Sequence, residues 1–262
     1  MRVNLPKPYP SGYFKSIGSR YGIAQEVIAH VPRNIKGPFL DVGCGHGWVV
    51  LTLAKKGKRV EGIDFSPAAI KSCQKKLRGE SKAIQALANF QLANATKLPF
   101  KKETFQCVFL IDVVEHLTLK QMGRSLKEVC RVLQNGGILI IHTNNKYFEE
   151  MTKLLIAASY HGIKVFLRPK QTLKEANTGP YDYLHINFLT GEETLRYLRG
   201  LGFEAKIKYV KPRRKEDLQK FLPYGKKWKE IIFYNLAWLL LNLPTEKFFS
   251  PTFWVLAKKR NR

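Results

Sequence analysis

The stretch Phe39-Leu40-Asp41-Val42-Gly43-Cys44-Gly45-His46-Gly47 decides how this chain is read. An apolar run ends in an acidic residue, glycine then falls at alternate positions, and a helical pattern begins at Trp48. That is a strand passing through a tight turn into a helix. Glycine is needed where the backbone takes positive φ or where a ligand lies directly against it. A side chain at Gly43 or Gly45 would fill that space. The first amides of the following helix have no partner inside the helix and face whatever binds the turn. The next short strand, Arg59-Val60-Glu61-Gly62-Ile63-Asp64, ends in a carboxylate. An acidic group about 20 residues beyond the glycines is placed to hold a ribose hydroxyl pair. Together the two strands predict a nucleoside-type ligand.

The glycines depart from the dinucleotide pattern G-x-G-x-x-G. The third glycine comes one residue early, at Gly47, Trp48 stands where the last glycine belongs, and Asp41 precedes the first. The pattern D-x-G-x-G-x-G with an acidic end to the second strand resembles the class I S-adenosylmethionine (SAM)-dependent methyltransferases. The resemblance continues through Leu98-Pro99-Phe100, Phe105 to Leu117, and Gly136-Gly137-Ile138-Leu139-Ile140, and so covers roughly 35–145. It implies a Rossmann-like α/β fold: a seven-stranded sheet of order 3-2-1-4-5-7-6, the last strand antiparallel, flanked by helices and carrying insertions on the substrate side. It also implies that SAM is held by Asp41, Gly43, Cys44, Gly45, Asp64, Phe65, Asn94, Ala95 and Ile111. At the turn after the third strand the family commonly places an Asp that bonds the adenine amino group. Here the position is Asn94, whose amide oxygen can accept the same bond.

At 262 residues the chain reads as a single methyltransferase domain, 1–262. Its parts are an N-terminal cap (1–34), a SAM-binding core (35–145), and two insertions (146–189 and 211–250). Near-helical spacing from Tyr13 to Val31 ends at Pro32. Strands are expected at Phe39 to Val42, through Asp64, over Asn89 to Ala95, at Phe105 to Ile111, Ile138 to His142, Phe203 to Val210 and Phe253 to Ala257. Helices are expected at Trp48 to Lys56, Ser66 to Leu77 with Ser66 as cap and Pro67 in the first turn, Thr118 to Leu133 and Thr190 to Leu201. The fourth strand is apolar throughout, as a central parallel strand should be.

After that strand the chain reads Ile111-Asp112-Val113-Val114-Glu115-His116-Leu117. Ligands of open α/β sheets bind outside the carboxyl ends of the strands, so a methyl acceptor would meet these residues. If the chain turns helical there, Asp112, Glu115 and His116 share a face and make a candidate divalent-metal site. Acid-x-x-acid-His, with a later His185 before Phe188, resembles two groups within the superfamily. One is the polyprenyl-catechol O-methyltransferases of quinone synthesis, the other the small-RNA 3′-terminal 2′-O-methyltransferases. That resemblance implies a metal, Mg²⁺ or Mn²⁺, on Asp112, Glu115, His116 and His185, with Asp112 standing where those families have Glu. A bound cation would lower the pKa of an acceptor hydroxyl. The alternative is an acceptor pocket without metal, in which Glu115 and His116 line the site and His116, His142 or His185 is the base. No N-P-P-Y/F motif and no Pro-Cys or Thr-Cys nucleophile is present. That argues against amide or adenine-amino and cytosine-C5 methylation and leaves a hydroxyl, or a carbon, as acceptor.

The net charge of +25 favours anionic partners. Two readings stand. A basic, Trp-bearing segment (Arg213, Arg214, Lys215, Lys226, Lys227, Trp228, Lys229) precedes the apolar run Ile231 to Leu243, which is too short to span a bilayer. Residues 211–243 would then dock on an anionic membrane surface and serve a lipid-borne or small-molecule acceptor. In the other reading, the basic residues and interleaved aromatics bind RNA. A non-catalytic SAM-binding role is the third alternative. Cys44, Cys73, Cys107 and Cys130 form no C-x-x-C pair, and the N-terminus shows no apolar signal segment. Both point to a reducing cytoplasm, with membrane association through 211–243.

Overall fold

The computed structural model of the chain describes residues 21–150, 186–210, 235, 239 and 246–261. The elements follow in order: α1 (Tyr21–Ala29), β1 (Phe39–Val42), α2 (Trp48–Lys55), β2 (Val60–Asp64), α3 (Pro67–Arg78), α4 (Lys82–Gln85) and β3 (Ala88–Leu92). After β4 (Phe105–Ile111) comes a short 3-10 turn over Val114–His116. Then follow α5 (Leu119–Val132), β5 (Leu133–Asn144), α6 (Gly191–Gly200), β6 (Phe203–Val210), α7 (Glu246–Phe249) and β7 (Thr252–Lys259). The sheet runs β3-β2-β1-β4-β5-β7-β6, the expected order. β1 through β5 are parallel, and β7 pairs antiparallel with both β5 and β6.

Alternation along the strands sends successive side chains to opposite faces, and both faces are covered. Leu40, Val42, Val108, Leu110, Leu139 and Ile141 pack with Met122, Leu126 and Val129 of α5 and Leu198 of α6. Phe39, Phe109, Ile140 and Trp254 pack on the other face with Ala24 and Val27 of α1 and Val49, Val50 and Leu53 of α2. Burying each such side chain is worth about 1.5–3 kcal/mol, which is why the central strands tolerate almost no polar residue. The helix starts are capped as their sequences dictate. The Ser66 hydroxyl accepts from the Ala69 amide, with Pro67 in the first turn. Thr118 with Gln121, and Thr190 with Glu193, form reciprocal capping boxes. Both boxes are legible as T-x-x-Q and T-x-x-E, although the sequence reading used neither.

Several boundaries differ from expectation. β3 stops at Leu92, because Asn94 and Lys97 close a small turn of their own. β5 begins at Leu133. That is five residues ahead of the expected Ile138, so Asn135-Gly136-Gly137 falls within it, where the register against β4 shifts between Phe105 and Cys107 and Gly136 takes φ 72°. On α5, Leu119 is 53% exposed although apolar, whereas Ser125 and Val132 lie inside. The short helix α4 carried no sequence expectation. Residues 13–20, most of the apolar stretch from Phe148 to Phe166, and the basic and apolar segment 211–243 apart from residues 235 and 239 lie outside the described residues.

Candidate active site

The carboxyl ends of β1, β2 and β4 form one crevice, and its floor is the glycine turn. Gly43, Gly45 and Gly47 all take positive φ (77°, 48° and 74°). They do so for different reasons. A Cβ on Gly43 would come within 2.5 Å of Val113 Cγ2, and one on Gly47 within 2.7 Å of the Phe90 ring. Those two positions are closed by the protein's own packing. A Cβ on Gly45 would meet nothing nearer than 4.0 Å. The ligand-side opening expected at both Gly43 and Gly45 is therefore at Gly45 alone.

Two carboxylates lie under this turn. Asp41 is 2% exposed, and burial, helped by the nearby charge of Asp64, pushes its pKa up to about 7. The Asp64 carboxylate accepts the Gly45 amide at 2.9 Å through one oxygen and the Ser66 amide at 2.8 Å through the other. Burial raises its pKa as well, and those amides pull it back down. Buried like charges are costly unless a cation meets them. A ligand carrying a sulfonium and an ammonium group fits this charge and the open flank of Gly45. Beneath the turn, Cys73 donates to the Gly45 carbonyl at 3.1 Å, and the hydrogen bond between the Cys44 and Cys73 thiols, followed by burial, raises the Cys44 thiol pKa. Cys44 thus supports the turn from inside. Phe65, Ala95 and Ile111 are partly exposed at the strand ends around the crevice. The Asn94 amide oxygen already accepts from the Thr96 amide and hydroxyl, each at 2.9 Å.

The segment after β4 takes a form the sequence did not suggest. Asp112 has φ 54°, so no helix runs through it, and only Val114–His116 turn as a 3-10 helix. Asp112, Glu115 and His116 therefore do not share a helical face. The Asp112 carboxylate meets His142 Nδ1 at 2.5 Å, whereas the Glu115 carboxylate, 1% exposed, accepts the Thr143 hydroxyl at 2.9 Å. His142 and Thr143 are consecutive in β5, so their side chains leave the sheet on opposite faces, and the two carboxylates are drawn apart with them. The expected ligands do not fit a shared cation. Among the described residues no three His, Cys, Asp or Glu side chains gather as a metal site. His116 is partly exposed at the turn. His185 lies outside the described residues. The next residues, however, are tied to the turn: the Ile186 and Asn187 amides donate to the Glu115 carbonyl at 2.9 and 3.1 Å. Seventy intervening residues hid that link from the sequence.

Other participants carried no motif. Trp254 of β7 lies against the His142 ring, centroids 4.5 Å apart, and His30, in the turn after α1, stacks on the same indole at 4.6 Å. Asn145, fully buried, donates to the carbonyls of Lys247 and Ser250, each at 2.8 Å, and so ties α7 to the end of β5. Only the antiparallel pairing of β5 with β7 brings these residues together.

Comparison with known proteins agrees with this geometry. A family model described as "Methyltransferase domain" matches residues 40–141. The chain is 27% identical over 156 residues to a ubiquinone biosynthesis O-methyltransferase of Coxiella burnetii, covering 56% of this chain and 64% of that protein. It is 33% identical over 113 residues to a norajmaline N-methyltransferase of Rauvolfia serpentina, covering 42% of this chain and 35% of that protein. Each match thus spans less than two thirds of the relative's own length. Among solved structures, geranyl diphosphate C-methyltransferase from Streptomyces coelicolor, solved with Mg²⁺, geranyl diphosphate and S-adenosylhomocysteine, aligns with a TM-score of 0.61 at 17% identity. That alignment covers 98% of this chain and 85% of the other, a likeness of fold. The sheet order, the glycine turn with its two carboxylates and the family match converge: the core of this chain, residues 40–141, is a class I SAM-dependent methyltransferase domain.

Proposed function

We propose that this protein transfers the methyl group of SAM to a hydroxyl on a small-molecule or lipid-borne acceptor, of the polyprenyl-phenol or quinone-precursor type. The observation that carries the transfer is the open flank of Gly45 above the buried pair Asp41 and Asp64. It supplies space and negative charge for a cationic nucleoside at the switch point of the sheet. The relatives named above methylate oxygen, nitrogen and carbon by their names, so the domain does not set the acceptor atom; the choice of oxygen rests on the missing amine and cytosine motifs and on the likeness to the quinone-pathway enzyme. The lipid-borne choice rests on the basic, Trp-bearing approach to the apolar run at 231–243. The run 231–243 is too short to span a bilayer, so the proposed membrane contact is peripheral; among the described residues no helix is long and apolar enough to cross a membrane.

The net charge of +25 supports a second reading, an RNA acceptor methylated at a 2′-hydroxyl. One experiment separates the readings. Labelled SAM is incubated with the full chain and separated lipid and RNA fractions. Label in an alkali-stable lipid ether is expected. Label in RNA would replace the lipid reading, and SAM binding without label in either fraction would leave a non-catalytic SAM-binding protein.

A further inference from the structure

Asp112 is the first residue past β4 and one of two described non-glycine residues with positive φ. A left-handed conformation costs an L-residue about 1–2 kcal/mol and persists where the surroundings hold it. Here a two-point clamp holds it: the Asp112 amide donates to the His142 carbonyl at 3.0 Å, and its carboxylate meets His142 Nδ1 at 2.5 Å. A carboxylate accepts only from a nitrogen that bears a proton, so in the neutral imidazole this contact puts the proton on Nδ1 and leaves the lone pair on Nε2. Trp254 packs along the imidazole and holds its plane. The His142 side chain keeps 11% exposure, and Nε2 has no hydrogen-bond partner among the described residues. In the ladder His142 pairs with Ile111, and Val42 pairs with Leu110. The imidazole therefore stands one strand beyond the crevice, at the carboxyl end where an acceptor meets a bound donor.

We propose that Asp112 and His142 form a carboxylate–imidazole dyad whose Nε2 removes the proton from the methyl acceptor, in place of a metal-activated hydroxyl. The inference rests on the reading of the protein as a SAM-dependent methyltransferase. Bound SAM supplies a methyl carbon whose bond to sulfur breaks, the electron pair staying on sulfur, as the acceptor oxygen bonds to that carbon. The acceptor proton passes to Nε2, and the resulting imidazolium is held by the Asp112 carboxylate. Base catalysis of this kind contributes about 10²–10⁴-fold. Asp112 sets the tautomer and orientation of His142 and is the positioning residue.

Nitrogen-15 NMR of histidine-labelled full-length protein, without SAM, reads the dyad directly. The proton of neutral His142 is expected on Nδ1. Among the described residues the ring meets the Asp112 carboxylate and the Trp254 indole, and His30 stacks on that indole, so His30→Gln is the control for assigning the His142 resonances. Asp112→Asn presents an amide N–H to Nδ1 and is expected to move the proton to Nε2 and to cut methyl transfer at least tenfold. His142→Ala is expected to lose at least a hundredfold in transfer, to keep SAM affinity within threefold by calorimetry, and to recover part of its rate with added imidazole. A proton on Nε2 in the unsubstituted protein, or transfer by His142→Ala within threefold of it, would overturn the dyad. Failure of the unsubstituted protein to bind SAM would instead remove the methyltransferase reading, and the tautomer spectrum would still decide the dyad.

Discussion

The Asp64 carboxylate at the end of β2 accepts the amide of Gly45 at 2.9 Å. The acidic residue and the glycine turn are therefore one structural unit before any ligand arrives. Its second oxygen holds Ser66, the cap of α3. Asp64→Ala is expected to weaken SAM binding and also to destabilise the free protein, because it orphans two backbone amides at about 1–3 kcal/mol each. Part of that is offset, since burial already disfavours the charged carboxyl. Thermal melting should fall by roughly 4–10 °C. An unchanged melting temperature with lost SAM affinity would show that Asp64 serves the ligand alone.

Gly45 and Gly43 should separate binding from stability. Gly45→Ala places its methyl in open space, so SAM affinity is expected to fall at least tenfold while stability falls by only about 1–2 kcal/mol for the left-handed backbone. Gly43→Ala drives its methyl into Val113 and is expected to cost more stability, about 2–4 kcal/mol with strain and overpacking combined. Calorimetry and denaturant melts of the two variants check the contrast. Equal losses from both would contradict it.

Asp41 makes SAM binding depend on pH. In the free protein its pKa stands at about 7, raised from 3.8. A carboxyl raised in the folded state stabilises the fold fully below its unfolded pKa, and that contribution is lost as pH rises through about 7. A bound cation favours the ionised form. Binding should then release a proton below about pH 7, and affinity should rise with pH from about 6 to 7, by up to about tenfold per unit. Titration calorimetry in buffers of differing ionisation enthalpy measures the released proton. Heats that do not vary between buffers at pH 6 would count against an ionisation linked to binding. Asp41→Asn should remove the pH dependence and stabilise the free protein at pH 8.

Methyl transfer is expected to continue in excess chelator. Asp112 and Glu115 are held on opposite faces of the sheet by His142 and Thr143, so they cannot close on one cation without breaking both contacts. Loss of activity with chelator and its return with Mn²⁺ or Mg²⁺ would show that those contacts open and that His185 joins them.

Periodicity and turn chemistry were enough for most strand and helix limits and for the glycine turn, and the resemblance carried by the D-x-G-x-G-x-G stretch supplied the sheet order. Those features are local: apolar runs select central strands, Ser66 and Pro67 start a helix, and a glycine turn between strand and helix reads the same in any context. The sequence also named Asp41, Asp64 and His142, because each sits at the end of a strand whose direction was already known.

Contacts across the sheet were a tertiary outcome. The spacing of Asp112, Glu115 and His116 suggested one helical face. The left-handed turn at Asp112 and the alternation of β5 instead sent the two carboxylates to different partners on different faces. The stack of His30, Trp254 and His142, and the anchoring of Ile186 and Asn187 on Glu115, join residues far apart in the chain. Register and face decide which distant side chains meet, and a one-residue change in either sends a side chain to the opposite face. Spacing within one segment carries no information about that. The sequence therefore determined where the glycine turn and its carboxylates lie, and only the folded sheet decided which side chains stand beside them.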